Sequence, residues 1–462
     1  MKARLRALAA RPAPLRDALW LGALGAVLRG SVVLWGSTRF PPVEDARFYH
    51  LLATRIADGK GYTWQWPDGV VTHVAHYPVG YPGLLAGLYA LFGSSPAVGM
   101  ALNALLGAAS VLAIHRVVAS GAGRLGAGFA ALAVALHPAL VLYTPALMTE
   151  GVTASLLALG AWVAVSARSS SRPLGWWLML GALFGLAALV RGQSLLAAPL
   201  FGLVAGSARS WRGALSAAAV VVLAAACVVL PWTLRNCRQM DRCVLISANV
   251  GWNLLIGATE GATGTFVPIT GPSVPERCRA VFGEADKDAC FAGAALELVR
   301  ARPLRWVALA PKKLAHTFEY CGAAGWYLGA SGQGSFPEKA KLALGVVETA
   351  YQRSLLALAA VAVARAAGGR RTLRRLLAGA SVLLLLGPLA WLSVLTLVAG
   401  ALCLGRGLGE RPALALGASA LLATLLTHAV FFGAGRYSLV VFPLVAALAG
   451  LAFAERERPP AF

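Results

Sequence analysis

Apolar runs long enough to cross a bilayer recur along the whole chain, separated by short basic stretches. A hydrocarbon core of about 30 Å takes roughly 20 helical residues, so these runs predict transmembrane helices. The first covers residues 17–36, and six more lie near 95–117, 125–145, 151–167, 174–190, 195–208 and 213–232. The chain continues with 341–364, a run over 376–404 broken at Gly387-Pro388, then 412–432 and 438–453. Reading the broken run as a hairpin brings the expected number of spans to about 12. Polar, aromatic and proline residues gather in two intervening segments, 37–94 and 233–340. The predicted architecture is therefore a single all-α polytopic domain over 1–462, with two extracytoplasmic segments that carry interfacial helices.

Composition narrows the class further. Hydrophobic residues make up 58% of the 462 and charged residues only 13%. A soluble chain with so few charges could not cover its own surface, so most of this one faces lipid. A cytosolic enzyme, a disordered chain and a collagen-like chain are all excluded.

The formal net charge of +22 could suggest nucleic acid, but position decides otherwise. Lys2, Arg4, Arg6, Arg11 and Arg16 precede the first run. Arg116/Arg124, Arg168/Arg172, Arg209/Arg212, Arg365 to Arg375, Arg406/Arg411 and Arg456/Arg458 separate later ones. Such punctuation is the positive-inside pattern, not a groove for a polyanion. It predicts cytoplasmic termini, with both polar segments on the extracytoplasmic side of the cytoplasmic membrane. Most of the acids then fall at or beyond the outer face, as this orientation requires. The first run is expected to be retained, because no small-residue cleavage site precedes Phe40.

Seven cysteines follow the same sidedness. Cys227 and Cys403 sit within apolar runs, as small buried hydrophobes. Cys237/Cys243 and Cys278/Cys290 form two close pairs in the second outer segment, where an oxidising compartment permits disulfides. Zinc is the rival, but C-x5-C and C-x11-C lack knuckle spacing and no histidine accompanies them.

Candidate chemistry concentrates in the outer segments. Residues 41–62 read PPVEDARFYHLLATRIADGKGY. Glu44-Asp45 opens a helix that Gly59 ends, with Leu51, Leu52 and Ile56 as an apolar face lying on the membrane surface. The helix dipole alone accounts for two carboxylates there. Yet the pair directly follows the first span, at headgroup level, where a carboxylate could take the proton of an attacking hydroxyl. His76 and Tyr77 follow in HVAHYPVGYP, residues 73–82. His73 and His76 have no fixed acidic partner, so interface anchoring is the plainer reading and no metal site is assigned. In residues 247–257, SANVGWNLLIG, the glycines and asparagines around Trp252 suit a tight loop with free backbone N–H groups for a phosphate or a sugar. Arg436, in HAVFFGAGRYS, stands alone at an outer helix end, against the positive-inside pattern. It needs a carboxylate or a phosphate as partner.

These stretches, in this order and sidedness, resemble the GT-C superfamily of integral-membrane glycosyltransferases. The resemblance is to the bacterial branch related to protein O-mannosyltransferases and lipid A aminoarabinose transferases. It rests on Glu44-Asp45 with Tyr49, on YPVGYP, Asn103, Met148-Thr149-Glu150 and Arg191, and on the LRN and NLLIG stretches with Arg436-Tyr437. It implies a polyprenyl-phosphate-linked sugar as donor, and a lipid, glycan or protein hydroxyl as acceptor. Transfer would be at the outer face and with inversion. It further implies Asp45 as the base, Glu44 as its neighbour and Glu150 as a second acid. Arg235 and Arg436 are the implied donor-phosphate contacts, with Tyr437, His76, Tyr77 and Asn253 in the substrate site. A divalent cation at the acids is an option the resemblance leaves open; no other cofactor is expected. Relatives that read Asp-Glu differ from the Glu-Asp here, and Tyr77 stands where the aminoarabinose branch carries lysine. The rival classes are a lipid or sugar transporter, which would line a mid-membrane cavity, and a non-catalytic anchoring protein, in which no cavity would reach Asp45.

Overall fold

The computed structural model describes residues 13–207, 210–366, 371–403 and 411–454. Lys2, Arg4, Arg6, Arg11, Arg209, Arg406, Arg456 and Arg458 lie outside them, and so do the termini expected in the cytoplasm. Among the described residues, seven helices are long and apolar enough to cross a membrane: Leu15–Gly36, Pro96–Ala135, Thr149–Ser169, Trp211–Gln239, Glu338–Ala366, Pro412–Val430 and Gly435–Phe453. Shorter apolar helices run over Gly80–Phe92, Leu174–Val190, Ser194–Gly206, Arg375–Leu385 and Ala390–Leu402. The chain is a helical, polytopic membrane protein.

The runs 95–117 and 125–145 fall largely in Pro96–Ala135, two helices that meet at a kink at Gly123, whose φ of 64° a side chain would resist. One boundary differs from the hydropathy reading. The first outer segment is not wholly loop, since it contains the helix Gly80–Phe92. At 13 residues this helix is too short to span, and hydropathy over a span-length window passes over it. The run 376–404 forms two helices, ending at Leu385 and restarting at Ala390. Ser381 Oγ lies 2.9 Å from Thr396 Oγ1, so the second helix folds back on the first.

Packing of the spans depends on small residues. A Cβ on Gly181 or Gly185 would meet the backbone of Val221 or Ala225, so the helix Leu174–Val190 lies directly on Trp211–Gln239. Small residues four apart allow this approach where lipid provides no hydrophobic drive between helices.

The outer segments cover one end of the bundle. The helix Asp45–Ala57 is followed by a two-stranded antiparallel hairpin, Thr63–Gln65 with Val71–His73. The second segment carries the helices Val250–Ile256, Glu284–Ala301, Ala310–Phe318 and Ala323–Ser331. Its disulfides are Cys237–Cys243 and Cys278–Cys290, the latter with Cα atoms 5.8 Å apart. Glu284 fastens the two segments together by accepting the backbone N–H groups of Ala75 and His76 at 2.6 and 3.0 Å.

Candidate active site

A cavity of about 1280 Å³ lies between the outer segments and the helix ends beneath them. Glu44, Asp45, His76, Tyr77, Glu150, Arg191, Asn253, Arg436 and Tyr437 are among its lining residues. Most of the candidates named from sequence therefore line one cavity.

Local structure explains how each arrives there. Asp45 is the first residue of its helix, and its side chain remains 36% exposed, within reach of an incoming molecule. Glu44 precedes it at φ 51°, a left-handed conformation that glutamate rarely adopts. Such strain, about 1–3 kcal/mol, persists only where the surroundings impose it. Glu150 lies in the first turn of Thr149–Ser169, where the helix dipole favours a carboxylate, and its side chain is only 2% exposed. Arg191 ends the helix Leu174–Val190 in extended backbone. Arg436 is delivered by the turn after Pro412–Val430. Cβ atoms on Gly433 and Gly435 would strike the carbonyls of Lys313, Tyr320 and Cys321, so only glycine lets this turn lie so close.

The charges interlock. Asp45 Oδ1 accepts the Tyr77 hydroxyl at 3.0 Å, and Oδ2 faces Arg436 Nη2 at 3.4 Å. Glu150 Oε1 takes Arg191 Nη1 at 3.1 Å and Arg436 Nε at 3.4 Å, while Oε2 accepts the Tyr143 hydroxyl at 3.2 Å. Two carboxylates and two guanidiniums thus form a neutral network, as burial of charge demands. Aromatic faces complete it. The Arg436 guanidinium lies 4.7 Å from the Trp326 ring and 5.3 Å from that of Tyr437, and Arg191 lies 4.7 Å from Tyr437. His428 stacks on the same tyrosine at 4.7 Å. Burial and the nearby Asp45 charge push the Tyr77 phenol well above its ordinary range, so it stays protonated and donates to Asp45.

Trp252, expected in a tight loop, instead lies in the helix Val250–Ile256, which also lines the cavity. Asp288 Oδ1 accepts the Trp252 N–H at 2.8 Å, and the His76 and Trp252 rings meet edge to face at 5.6 Å. The backbone N–H of Trp252, expected to be free for a ligand, is thus engaged by Asp288. Burial raises the Asp288 carboxyl above its usual range, against the pull of those backbone N–H groups.

Arg235 is placed elsewhere. It donates to the carbonyls of Val74 and Tyr62 at 2.8 and 2.7 Å, with its guanidinium 4.7 Å from the Trp232 ring. It is not among the residues that line the cavity. Asn103 is likewise structural, holding Tyr81 and the carbonyls of Thr144 and Ala146. Two contributors lacked a sequence-derived role. Arg191 carries the same signal as Arg436, a lone arginine at an outer helix end, and could have been found by it. Trp326, in an aromatic-rich outer segment, carries no such signal.

A divalent cation does not fit the carboxylates as they stand, since both Asp45 and Glu150 are already engaged by guanidinium and hydroxyl donors. Among the described residues, no group of three or more His, Cys, Asp and Glu side chains is placed to hold a metal ion.

No curated protein sequence matches the chain. Among solved structures it is similar to the Archaeoglobus fulgidus oligosaccharyltransferase tethered with an acceptor peptide, at 15% identity and a TM-score of 0.46, covering 94% of this chain and 49% of that one. The Archaeoglobus fulgidus oligosaccharyltransferase AglB, in complex with an inhibitory peptide and a dolichol-phosphate, matches at 15% identity and a TM-score of 0.46, over 94% and 50% of the two chains. The chain thus spans about half the length of these proteins. ArnT from Cupriavidus metallidurans, bound to undecaprenyl phosphate, matches at 14% identity and a TM-score of 0.42, over 94% of this chain and 77% of that one. In sequence, residues 76–233, a stretch that includes Tyr77, Glu150 and Arg191, match the family described as Dolichyl-phosphate-mannose-protein mannosyltransferase.

Proposed function

We propose that the protein is a membrane glycosyltransferase that moves a sugar from a polyprenyl-phosphate-linked donor to a hydroxyl of a lipid, glycan or protein. The reaction takes place at the extracytoplasmic face of the cytoplasmic membrane. One observation carries the reading: an accessible carboxylate, Asp45, shares a cavity with two arginines held against aromatic rings. The family match over 76–233 supports it, because that stretch supplies Tyr77, Glu150 and Arg191 to the same cavity.

In this mechanism Asp45 takes the proton of the acceptor hydroxyl as its oxygen bonds to the anomeric carbon. The bond from that carbon to the phosphate oxygen breaks on the opposite side, which inverts the configuration. Polyprenyl phosphate leaves with the electron pair, and the guanidiniums stabilise the charge it gains without reorganising. Glu150 is too buried to meet the acceptor and serves to hold both arginines.

The test compares mass spectra of cell-envelope glycans and lipids from cells with the protein, without it, and with the Asp45→Asn variant. A sugar modification present only with the parental protein is expected. Identical spectra in all three would sink the proposal.

A further inference from the structure

We propose that Arg436 permanently holds the place between Asp45 and Glu150 that a divalent cation would need, and that transfer therefore requires no such ion. The reading rests on the proposed transferase function only for what a cation would do; the exclusion itself follows from the geometry. The Arg436 guanidinium approaches Asp45 Oδ2 and Glu150 Oε1 at the same distance, 3.4 Å, with a different nitrogen for each. It thereby bridges the two carboxylates that a Mg²⁺ or Mn²⁺ ion would bridge through oxygen ligands. The remaining oxygens are also committed, Asp45 Oδ1 to Tyr77 and Glu150 Oε2 to Tyr143. Arg191 adds a second cation on Glu150 at 3.1 Å. A divalent ion would have to displace a guanidinium and then sit beside another, with like charges repelling across a low-dielectric site.

Arg436 cannot readily swing aside. It is clasped by the Trp326 and Tyr437 rings. Its backbone is fixed by the close approach of Gly435 to the carbonyls of Tyr320 and Cys321. Unlike a metal ion, the guanidinium also cannot be lost to chelators. Its charge persists at any pH the protein meets, so the arrangement supplies a permanent internal cation.

The experiment follows the electron paramagnetic resonance signal of free Mn²⁺ added to the detergent-purified full chain. The parental protein should deplete that signal no more than Asp45→Asn does. Arg436→Gln, with its monodispersity checked, should deplete it further, and Arg436→Gln/Glu150→Gln should not. Mn²⁺ uptake by the parental protein that Asp45→Asn removes would overturn the proposal, and so would a folded Arg436→Gln variant that takes up no more than the parent. The parental comparison stands even if Arg436→Gln does not fold. Transfer assayed in EDTA is the second readout: activity that stops there and returns with Mn²⁺ would likewise overturn it. Absence of transfer under every condition would instead refute the transferase reading and leave the Mn²⁺ result in force.

Discussion

Asp45 and Arg436 are 391 positions apart in the chain, yet Arg436 Nη2 reaches Asp45 Oδ2 at 3.4 Å. They come from different helical elements, and the turn rich in glycine before Arg436 is what permits the approach. The pair joins a partly exposed acid to a cation packed against aromatic rings. That combination is the basis of the following predictions.

Asp45→Asn keeps the side chain's size and its acceptor oxygen for Tyr77, but it cannot take a proton. Transfer should fall by about 10²–10⁴-fold, the usual loss when a general base is removed. Membrane insertion and thermal unfolding should be unchanged. A variant that inserts normally and transfers at the parental rate would remove Asp45 from the mechanism and leave Glu44 as the next carboxylate to test.

The two arginines named from sequence should separate in kinetics. Arg436→Ala is expected to raise the donor KM and lower kcat, because a phosphate is charged in both ground and transition states. Arg235→Ala orphans the Tyr62 and Val74 carbonyls, at a cost of about 1–3 kcal/mol in stability, without touching the donor. A donor KM that rises for Arg235→Ala in protein that remains folded would contradict the placement of Arg235 outside the cavity.

Glu150 should matter chiefly for stability. Glu150→Gln leaves Arg191 and Arg436 close together with one carboxylate fewer, and loss of a buried partner costs about 3–5 kcal/mol. Adding Arg191→Gln removes the surplus charge and should recover part of the loss in a double-mutant cycle of thermal unfolding. Strictly additive losses would show that the 3.1 Å contact between Glu150 and Arg191 contributes nothing.

Lys313 gives a pH dependence. It is fully buried in the helix Ala310–Phe318, donates to the Val430 carbonyl at 2.8 Å, and burial pulls its pKa from 10.5 down to about 8. Between those two values the unfolded chain holds the extra proton, so this group makes stability rise with pH across that window. Lys313→Met lacks the gain. The melting temperature of the parental protein should therefore improve relative to the variant between about pH 8 and pH 10. A difference that stays constant over that range would show that Lys313 is not perturbed.

Much of the architecture is legible in the sequence because bilayer thickness acts on local composition alone. A run such as 213–232 must form a helix, since no water is present to satisfy its backbone groups in any other conformation. The interrupted run 376–404 is legible for a similar reason: Gly387-Pro388 cannot continue a helix, and the helices indeed stop at Leu385 and resume at Ala390. The site is only partly legible. Glu44-Asp45 stands out because an acidic pair directly after a span is costly unless it faces water, and Arg436 stands out because it breaks the charge pattern of its side.

What the sequence by itself determined is therefore the membrane class, the helix ends and the short list of charged residues placed at them. Each follows from solvation or backbone sterics, which act on a few neighbouring residues. Only the tertiary structure decided which of those charges meet. Arg235 and Arg436 look alike in sequence, each an arginine at an outer helix end, yet one spends its guanidinium on the carbonyls of Tyr62 and Val74 and the other bridges Asp45 and Glu150. The difference lies in how helices far apart in the chain are rotated and how closely their turns approach. These are properties of long-range packing, set by glycine contacts such as that of Gly435 with Cys321, and no local pattern encodes them.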